Sequence, residues 1–586
     1  MSTTGLAGLA VPFLAKESLA AGGSQMPANS SGTTSAPATG MPPRTSAVRS
    51  GKVLPNVQAT LAPYSNPLTF QLAAHLLRRT GFGPRYSEVN ALVGVSASTA
   101  VANMMTTQAA PAPPGNWVYS APLLDSSKAS QTTNQTNMQN FRDWWMGLIY
   151  GSAYPPASTA QSALLEKMTL FWENHFVTEF AKVLAPQYLY WNNTMLRQNA
   201  FGNFQNIVQA ITIDNAMLWY LDGWTSIVGN VNENYAREVM ELFTIGPSDP
   251  NGNPNYSQTD IENSAKALTG WTLYGFTPSP LGAGAMSQYT PGTYNAALHD
   301  TSTKTFLSQT GNFGNTDVIN IIFQQTFNSF MGNSTVYNKV ALFICKELYG
   351  LFIYDNPGEP TSSDYSSYCN PTNPIIQQMA VTFAQNNFSI QAVLQQLLTS
   401  QFFFDPSVLG DEIKSPVEFV VSASRQLEVT TLPPDYLYQQ SFSITGSNET
   451  QLDQPPNVAG FPGYESWINA ATLPQRNQFS DGIISGVSTN GTSYSVDTIA
   501  FAQLVCNNDA TVYNDATQLI LACAAFLLPF PLDTDTTDPS TKISALQTAL
   551  LSGASVSDWS TAYPGAAASI GLMLQLMLKL ADYQLA

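Results

Sequence analysis

Two carboxylates one helical turn apart are the first residues in this 586-residue chain that invite a chemical reading. In the segment Asn232–Ile245 (NENYAREVMELFTI), Asn234, Arg237, Glu238 and Glu241 fall at i, i+3, i+4 and i+7 and form one polar stripe. Tyr235, Ala236, Val239, Met240, Leu242 and Phe243 fill the rest of the helix, which predicts that it is embedded on most sides. The stripe then faces either a thin strip of solvent or an internal cleft. Side chains at this spacing are attached about 5–6 Å apart. Repulsion between Glu238 and Glu241 would raise one pKa, which suits general acid and base work, while Arg237 would hold an anionic group. An Arg237–Glu241 structural ion pair is the plain alternative.

Histidines supply the second candidate group. His175 lies in Ser158–Phe176 (STAQSALLEKMTLFWENHF), where Leu164, Met168, Phe171, Trp172 and Phe176 share one apolar arc with the imidazole in its middle. Burial there keeps the ring neutral, able to act as base, donor or metal ligand, or simply to pack. His299 and Asp300 stand in a loop shortly before Lys304, placing an imidazole, a carboxylate and an ammonium close in sequence; an ordinary turn explains them equally. Trp271 follows Gly270 as an aromatic plate at a helix exit. His75, between Gln71 and Arg79, reads as a solvated residue on the polar side of its helix.

The elements that must hold these groups are helical. Apolar residues make up 44% of the chain and charged residues only 10%, where soluble domains usually carry roughly a quarter charged, so the surface must be polar through Asn, Gln, Ser and Thr. Wholesale disorder is excluded. A net charge of −17 argues against a nucleic-acid partner or an anionic lipid surface. No Cys-x-x-Cys or Cys-His cluster exists; short loop length favours the pairings Cys345–Cys369 and Cys506–Cys523. The longest apolar run, Leu519–Leu532, is broken by Pro529 and Pro531 and is too short to cross a bilayer.

Capping chemistry marks several helix starts. Ser415, Pro416 and Glu418 supply an N-cap, a first-turn proline and a capping-box acid in the right order; Ser257 with Asp260 repeats the logic, and Ser389 opens Ile390, Val393, Leu394, Leu397 and Leu398. The expected fold class is mainly α, a multi-helix array with long loops and one small β-hairpin at Ser488–Tyr494, where an Asn-Gly pair turns the chain. The length predicts two or three packed subregions. Residues 1–23 read as a remnant or degenerate export signal with an apolar stretch Gly5–Ala15, and 24–66 as a Ser/Thr/Pro/Ala/Gly linker. Residues 67–480 form the expected main helical domain and 481–586 a C-terminal helical region packed on it.

Eight blocks in fixed order carry a family resemblance: AAHLLRRTGFGP (Ala73–Pro84), FWENHF (Phe171–Phe176), NENYAREVMELFTIG (Asn232–Gly246), ALTGW (Ala267–Trp271), HDTSTKTFL (His299–Leu307), KELYGLF (Lys346–Phe352), SPVEF (Ser415–Phe419) and PPNVAGFPGYESWINAATLPQR (Pro455–Arg476). The chain resembles the bacterial domain-of-unknown-function 1800 family from about Pro67 to its end. The resemblance implies an exported, often twin-arginine-dependent, mainly helical protein, frequently encoded beside a sulfatase-like domain-of-unknown-function 1501 protein, and it implies no settled activity. Two departures stand out, a longer polar loop at Pro247–Asn255 and Phe461 where the family pattern has Trp. The blocks contain His175, Asn234, Arg237, Glu238, Glu241, Trp271, His299, Asp300 and Lys304, and Arg476 as well.

Two functions follow as expectations. The first is an exported hydrolase in which Glu238, Glu241, His175, His299 and Asp300 carry acid–base chemistry and Asn234, Arg237, Trp271, Lys304 and Arg476 hold the substrate. Ten tryptophans and 25 tyrosines offer plates for sugar rings, so an extracytoplasmic glycan is the first substrate class. Its metal variant uses His175, His299 and the carboxylates to ligate a divalent ion. The second is a non-catalytic binding or assembly protein working with the sulfatase-like partner.

Overall fold

The computed structural model describes residues 60–586 apart from 155, 157–159, 276–284, 329–334, 355–372, 430, 445–453 and 462. The expected leader and most of the expected linker, residues 1–59, lie outside the described residues. Helices dominate, and the described sheets are four antiparallel two-stranded pairs. The helices that matter below are α1 (Phe70–Thr80), α2 (Ala163–His175), α3 (Pro186–Gln198), α4 (Asn234–Glu241), α5 (Gln258–Ala267), α6 (Lys339–Phe352), α7 (Pro416–Gln426), α8 (Thr472–Ser485) and α9 (Ala516–Leu527).

Several local expectations are met by the chemistry that predicted them. Ser415 accepts the Glu418 N–H while the Glu418 carboxylate accepts the Ser415 N–H at 2.8 Å, and Ser257 and Asp260 do the same at the start of α5. The predicted hairpin pairs Val487–Thr489 with Thr492–Tyr494, with Asn490 and Gly491 both at positive φ in the turn. The described residues belong to one compact unit, and the boundary expected after residue 480 falls within α8. Ordered packing also begins before Pro67. Leu61 is buried, the Tyr64 N–H donates to Thr399 O and the Gln401 N–H donates to Ala62 O.

What joins distant segments is buried charge. Although charged residues are few, many lie inside. The Arg425 guanidinium grips both oxygens of Glu88 at 3.0 and 2.9 Å and also donates to the carbonyls of Gly83, Tyr150 and Ser152. Arg197 on α3 forks onto Glu166 of α2 at 2.9 Å through two nitrogens, and Trp145 donates to the same carboxylate. On α1, Arg78 reaches Phe526 O and Leu528 O at the end of α9, and Arg79 reaches Leu351 O and Phe352 O at the end of α6. A guanidinium at a helix C-terminus satisfies orphan carbonyls and meets the negative end of the dipole.

This corrects the reading of His75. The polar side of α1 faces inward, so His75 is buried, bonds Phe403 O through Nε2 at 3.0 Å and packs on the Phe403 ring. Burial and the neighbouring Arg79 and Arg78 push its pKa down to about 3. The two cysteine pairings are also corrected. Cys345, Cys506 and Cys523 are buried free thiols, each placed by apolar packing, and Cys369 lies outside the described residues. Among the described residues no helix is long and apolar enough to cross a membrane.

Arg425→Met should destabilise the protein by about 3–5 kcal/mol, because the Glu88 carboxylate is left buried and uncompensated. Adding Glu88→Gln should return part of that loss, as read from urea or thermal unfolding.

Candidate functional site

The α4 stripe is the only predicted group whose carboxylates lie side by side. Its helix is shorter than expected, ending at Glu241, and its polar side is half open to solvent, with Asn234 exposed. Arg237 does not bridge to Glu241. Its guanidinium turns to Glu233 at 3.6 Å and Gln258 at 3.3 Å, while Glu241 accepts the Tyr256 O–H at 2.9 Å. Glu238, partly buried, has no side-chain hydrogen bond among the described residues. Burial first and the charge of Glu241 second raise its pKa, against a smaller lowering from Arg237. Glu179 is raised by burial as well, and the charges of Glu179 and Glu238 both act on the Tyr220 hydroxyl between them, which burial and these acids push up to about 12.

The histidines are occupied. His175 closes α2, ringed by Phe171, Trp172, Phe176, Phe204 and Phe243, and its Nε2 bonds Phe243 O at 3.1 Å just beyond α4. Desolvation lowers its pKa to about 4, so the ring is neutral at pH 7. His299 bonds Thr269 O through Nδ1 at 3.0 Å, and Asp300 N–H donates to Thr269 Oγ1 at 2.8 Å. Lys304 is buried beneath this turn, donating to the carbonyls of Asp300 and Ser302. Gly270, at φ +93°, lets the chain pass: a Cβ there would lie 3.0 Å from Asn295 O and 3.1 Å from His299 Cβ. Trp271 then pairs in a short strand with Tyr294, their rings 5.3 Å apart, and Tyr294 contacts His299. These contacts gather His299, Asp300, Lys304 and Trp271 into one clamp beyond α5. Arg476 lies elsewhere, fully buried on α8, donating to Lys414 O at 2.8 Å with its guanidinium over the Phe419 ring. Among the described residues no three His, Cys, Asp or Glu side chains are grouped to hold a metal ion. The Pro247–Asn255 loop folds back on the end of α4, where Asn255 donates to Ile245 O at 2.7 Å.

A cleft that the sequence reading passed over is better formed. It has a volume of about 170 Å³ and opens between α2, the end of α6, the start of α7 and the loop before Trp467. Lys167, Leu170, Phe171 and Asn174 face it from α2 at i, i+3, i+4 and i+7, the spacing of one helix face. Lys167 Nζ meets Glu418 Oε1 at 2.6 Å. Burial alone would raise the Glu418 pKa; the Lys167 ammonium outweighs it and holds the carboxyl below its usual range. Burial lowers the Lys167 pKa, opposed by Glu418. Asn174 seats the opposite wall by accepting the Phe461 N–H at 2.8 Å, and Gly460 makes that approach feasible, since a Cβ at its φ of +84° would lie 2.6 Å from Asn174 O and Oδ1. A second cavity of about 390 Å³ beside Trp144 has Arg197 as its charged residue, already saturated by Glu166. A third, of about 20 Å³, lies beside Tyr235. None of the three is lined by His175, Glu238, Glu241, His299 or Asp300.

A two-turn stripe on α2 with a lysine at one end and an asparagine at the other was the available signal for this cleft; Glu418 read as a capping-box acid, and Trp467 lay inside a quoted block with no role assigned to it. A mainly helical chain whose family blocks surround such a cleft and the α4 stripe defines the class. Residues 75–585 match the family described as protein of unknown function (DUF1800), and the chain belongs to that family. No curated protein and no solved structure matches it.

Gly460→Ala should lower the melting temperature by forcing the Phe461 loop off Asn174, at a cost of about 1–3 kcal/mol. For His175 the folded pKa is depressed, so the unfolded chain binds more protons and stability falls as pH drops from 6.5 toward about 4. His175→Gln, which keeps a donor for Phe243 O, should flatten that part of the pH–stability curve in calorimetry.

Proposed function

We propose that the protein is an exported hydrolase acting on a glycan or another extracytoplasmic polymer, with Glu238 as the general acid and Glu241 as its carboxylate partner. The observation that carries this reading is the state of Glu238. Its carboxyl is partly buried, lacks a hydrogen bond of its own among the described residues, faces a second acid one turn away and has a raised pKa. A carboxyl that stays protonated above its ordinary range can deliver a proton to a leaving oxygen while its neighbour acts as base or stabilises positive charge. His175 and the His299–Asp300–Lys304 clamp then act on the same region by position: His175 fixes the chain leaving α4, and the clamp fixes the chain leaving α5, whose first residue, Gln258, accepts from Arg237. Export is supported by the apolar segment Gly5–Ala15 and by the sparse charge of the chain.

A second reading is favoured by one observation. His175, His299, Lys304 and Arg476 each bond backbone carbonyls, the work of residues that pin helices in a binding or assembly protein. In that reading a sulfatase-like partner supplies the chemistry, and direct calorimetric titration of the two purified proteins would register their association.

A screen of plant and bacterial glycans should find turnover that Glu238→Gln lowers by about 10²–10⁴-fold. Activity should also decline as pH rises through the elevated Glu238 pKa. Because ionising Glu238 costs native stability above its unfolded pKa, the same variant should melt no lower than wild type at pH 8. Turnover that is unchanged by Glu238→Gln would remove the hydrolase reading.

A further inference from the structure

The cavity of about 390 Å³ beside Trp144 is polar without offering a charge. No carboxylate lines it. Its cation, Arg197, has all three guanidinium nitrogens engaged, Nε and Nη2 on Glu166 at 2.9 Å and Nη1 on Asn193. Glu166 is itself buried, so the ion pair is complete without a ligand. A charged ligand entering here would give up water without gaining a counter-ion, and that desolvation cost argues for a neutral one.

Amides take the place of charge. Gln108, Gln161, Gln198 and Gln391 border the cavity from four separate segments of the chain. Gln108 Oε1 accepts the Ser162 N–H at 2.8 Å and Gln161 Nε2 donates to Ala109 O at 3.1 Å, which fixes both side chains. Gln108 Nε2 is left buried with no acceptor among the described residues. Gln198 and Gln391 are exposed and make no side-chain hydrogen bond among the described residues. Each amide can donate and accept at once, as a sugar hydroxyl does. Aromatic surface completes the wall. On α3, Tyr190, Thr194 and Gln198 fall at i, i+4 and i+8, so one helix face presents a ring, a hydroxyl and an amide. Trp144 and Phe201 are half-buried, and the Trp144 and Tyr190 rings lie 5.5 Å apart. A volume of about 390 Å³ is more than twice that of the cavity of about 150 Å³ that holds one benzene ring, so two six-membered rings fit. It also falls within the range of about 300–1,000 Å³ usual for small-ligand sites.

We propose that this cavity binds a neutral disaccharide unit of a glycan. A pyranose has an apolar face of C–H groups and a rim of hydroxyls; the aromatic rings meet the first and the four amides meet the second. The assignment goes beyond the hydrolase reading. It shares the glycan class with that reading but stands without Glu238, which lines no part of the cavity.

Isothermal titration of the full chain with cellobiose, maltose and N,N′-diacetylchitobiose tests it, with glucose and the neutral peptide N-acetyl-trialanine amide as comparisons. At least one disaccharide should bind about tenfold more tightly than either comparison. Its affinity should hold as salt is raised, because no ion pair forms. Gln198→Ala with Gln391→Ala removes two exposed amides and should lose about tenfold in that affinity while melting as wild type does. Binding of none of the disaccharides, glucose or the peptide binding as tightly, affinity that falls with salt, or a double variant that binds like wild type would each overturn the proposal. Glu238→Gln protein should bind the disaccharide as wild type does whether or not it retains turnover, which keeps the fate of this cavity separate from that of the hydrolase reading.

Discussion

Cations buried at the ends of other helices are the interaction on which this architecture depends. Arg78 and Arg79 occupy adjacent positions on α1, yet they close α9 and α6 respectively through carbonyls at the helix exits. Arg425 ties the chain after α1 to that after residue 149 while holding Glu88. Each guanidinium spreads several donors over groups that would otherwise be buried without partners, and that polar satisfaction orders the helices relative to one another. Apolar packing fills the space between them, but many apolar arrangements have similar energies; directional donors narrow the choice.

That arrangement has a consequence for chemistry. Charges recruited to join helices also reach the cleft, where Lys167 of α2 meets Glu418 of α7. The same α2 helix then faces two environments. Lys167 and Asn174 border the cleft, while His175, one residue further on, turns into an aromatic cage and holds the chain beyond α4. One helix thus couples the charged cleft to the carboxylate stripe through backbone position, with no side chain shared between them.

Much of the local structure was legible in the sequence, because its causes are local. The Ser415–Glu418 capping box, the Asn490–Gly491 turn and the α4 stripe are each written within a few residues; the first two appear as expected, and the stripe lies on a helix that ends at Glu241. The repulsive pair at Glu238 and Glu241 was legible for the same reason. What escaped were interactions whose partners lie hundreds of residues away: Arg79 with Leu351 O, 272 positions distant, and Arg78 with Phe526 O, 448 distant. A polar stripe on α1 has the same pattern whether it faces water or a set of carbonyls, so His75 read as solvated. The separation of Arg476 from the clamp that holds His299 and Asp300 is likewise a matter of tertiary contact, since sequence order says nothing of which helix exit a loop will clamp.

The account stands most directly on the guanidiniums that close the helix ends. Urea unfolding of Arg79→Met protein, in which the carbonyls of Leu351 and Phe352 lose their donor, should show a loss of about 1–3 kcal/mol relative to wild type. An Arg79→Met protein that unfolds at the wild-type denaturant concentration would contradict it.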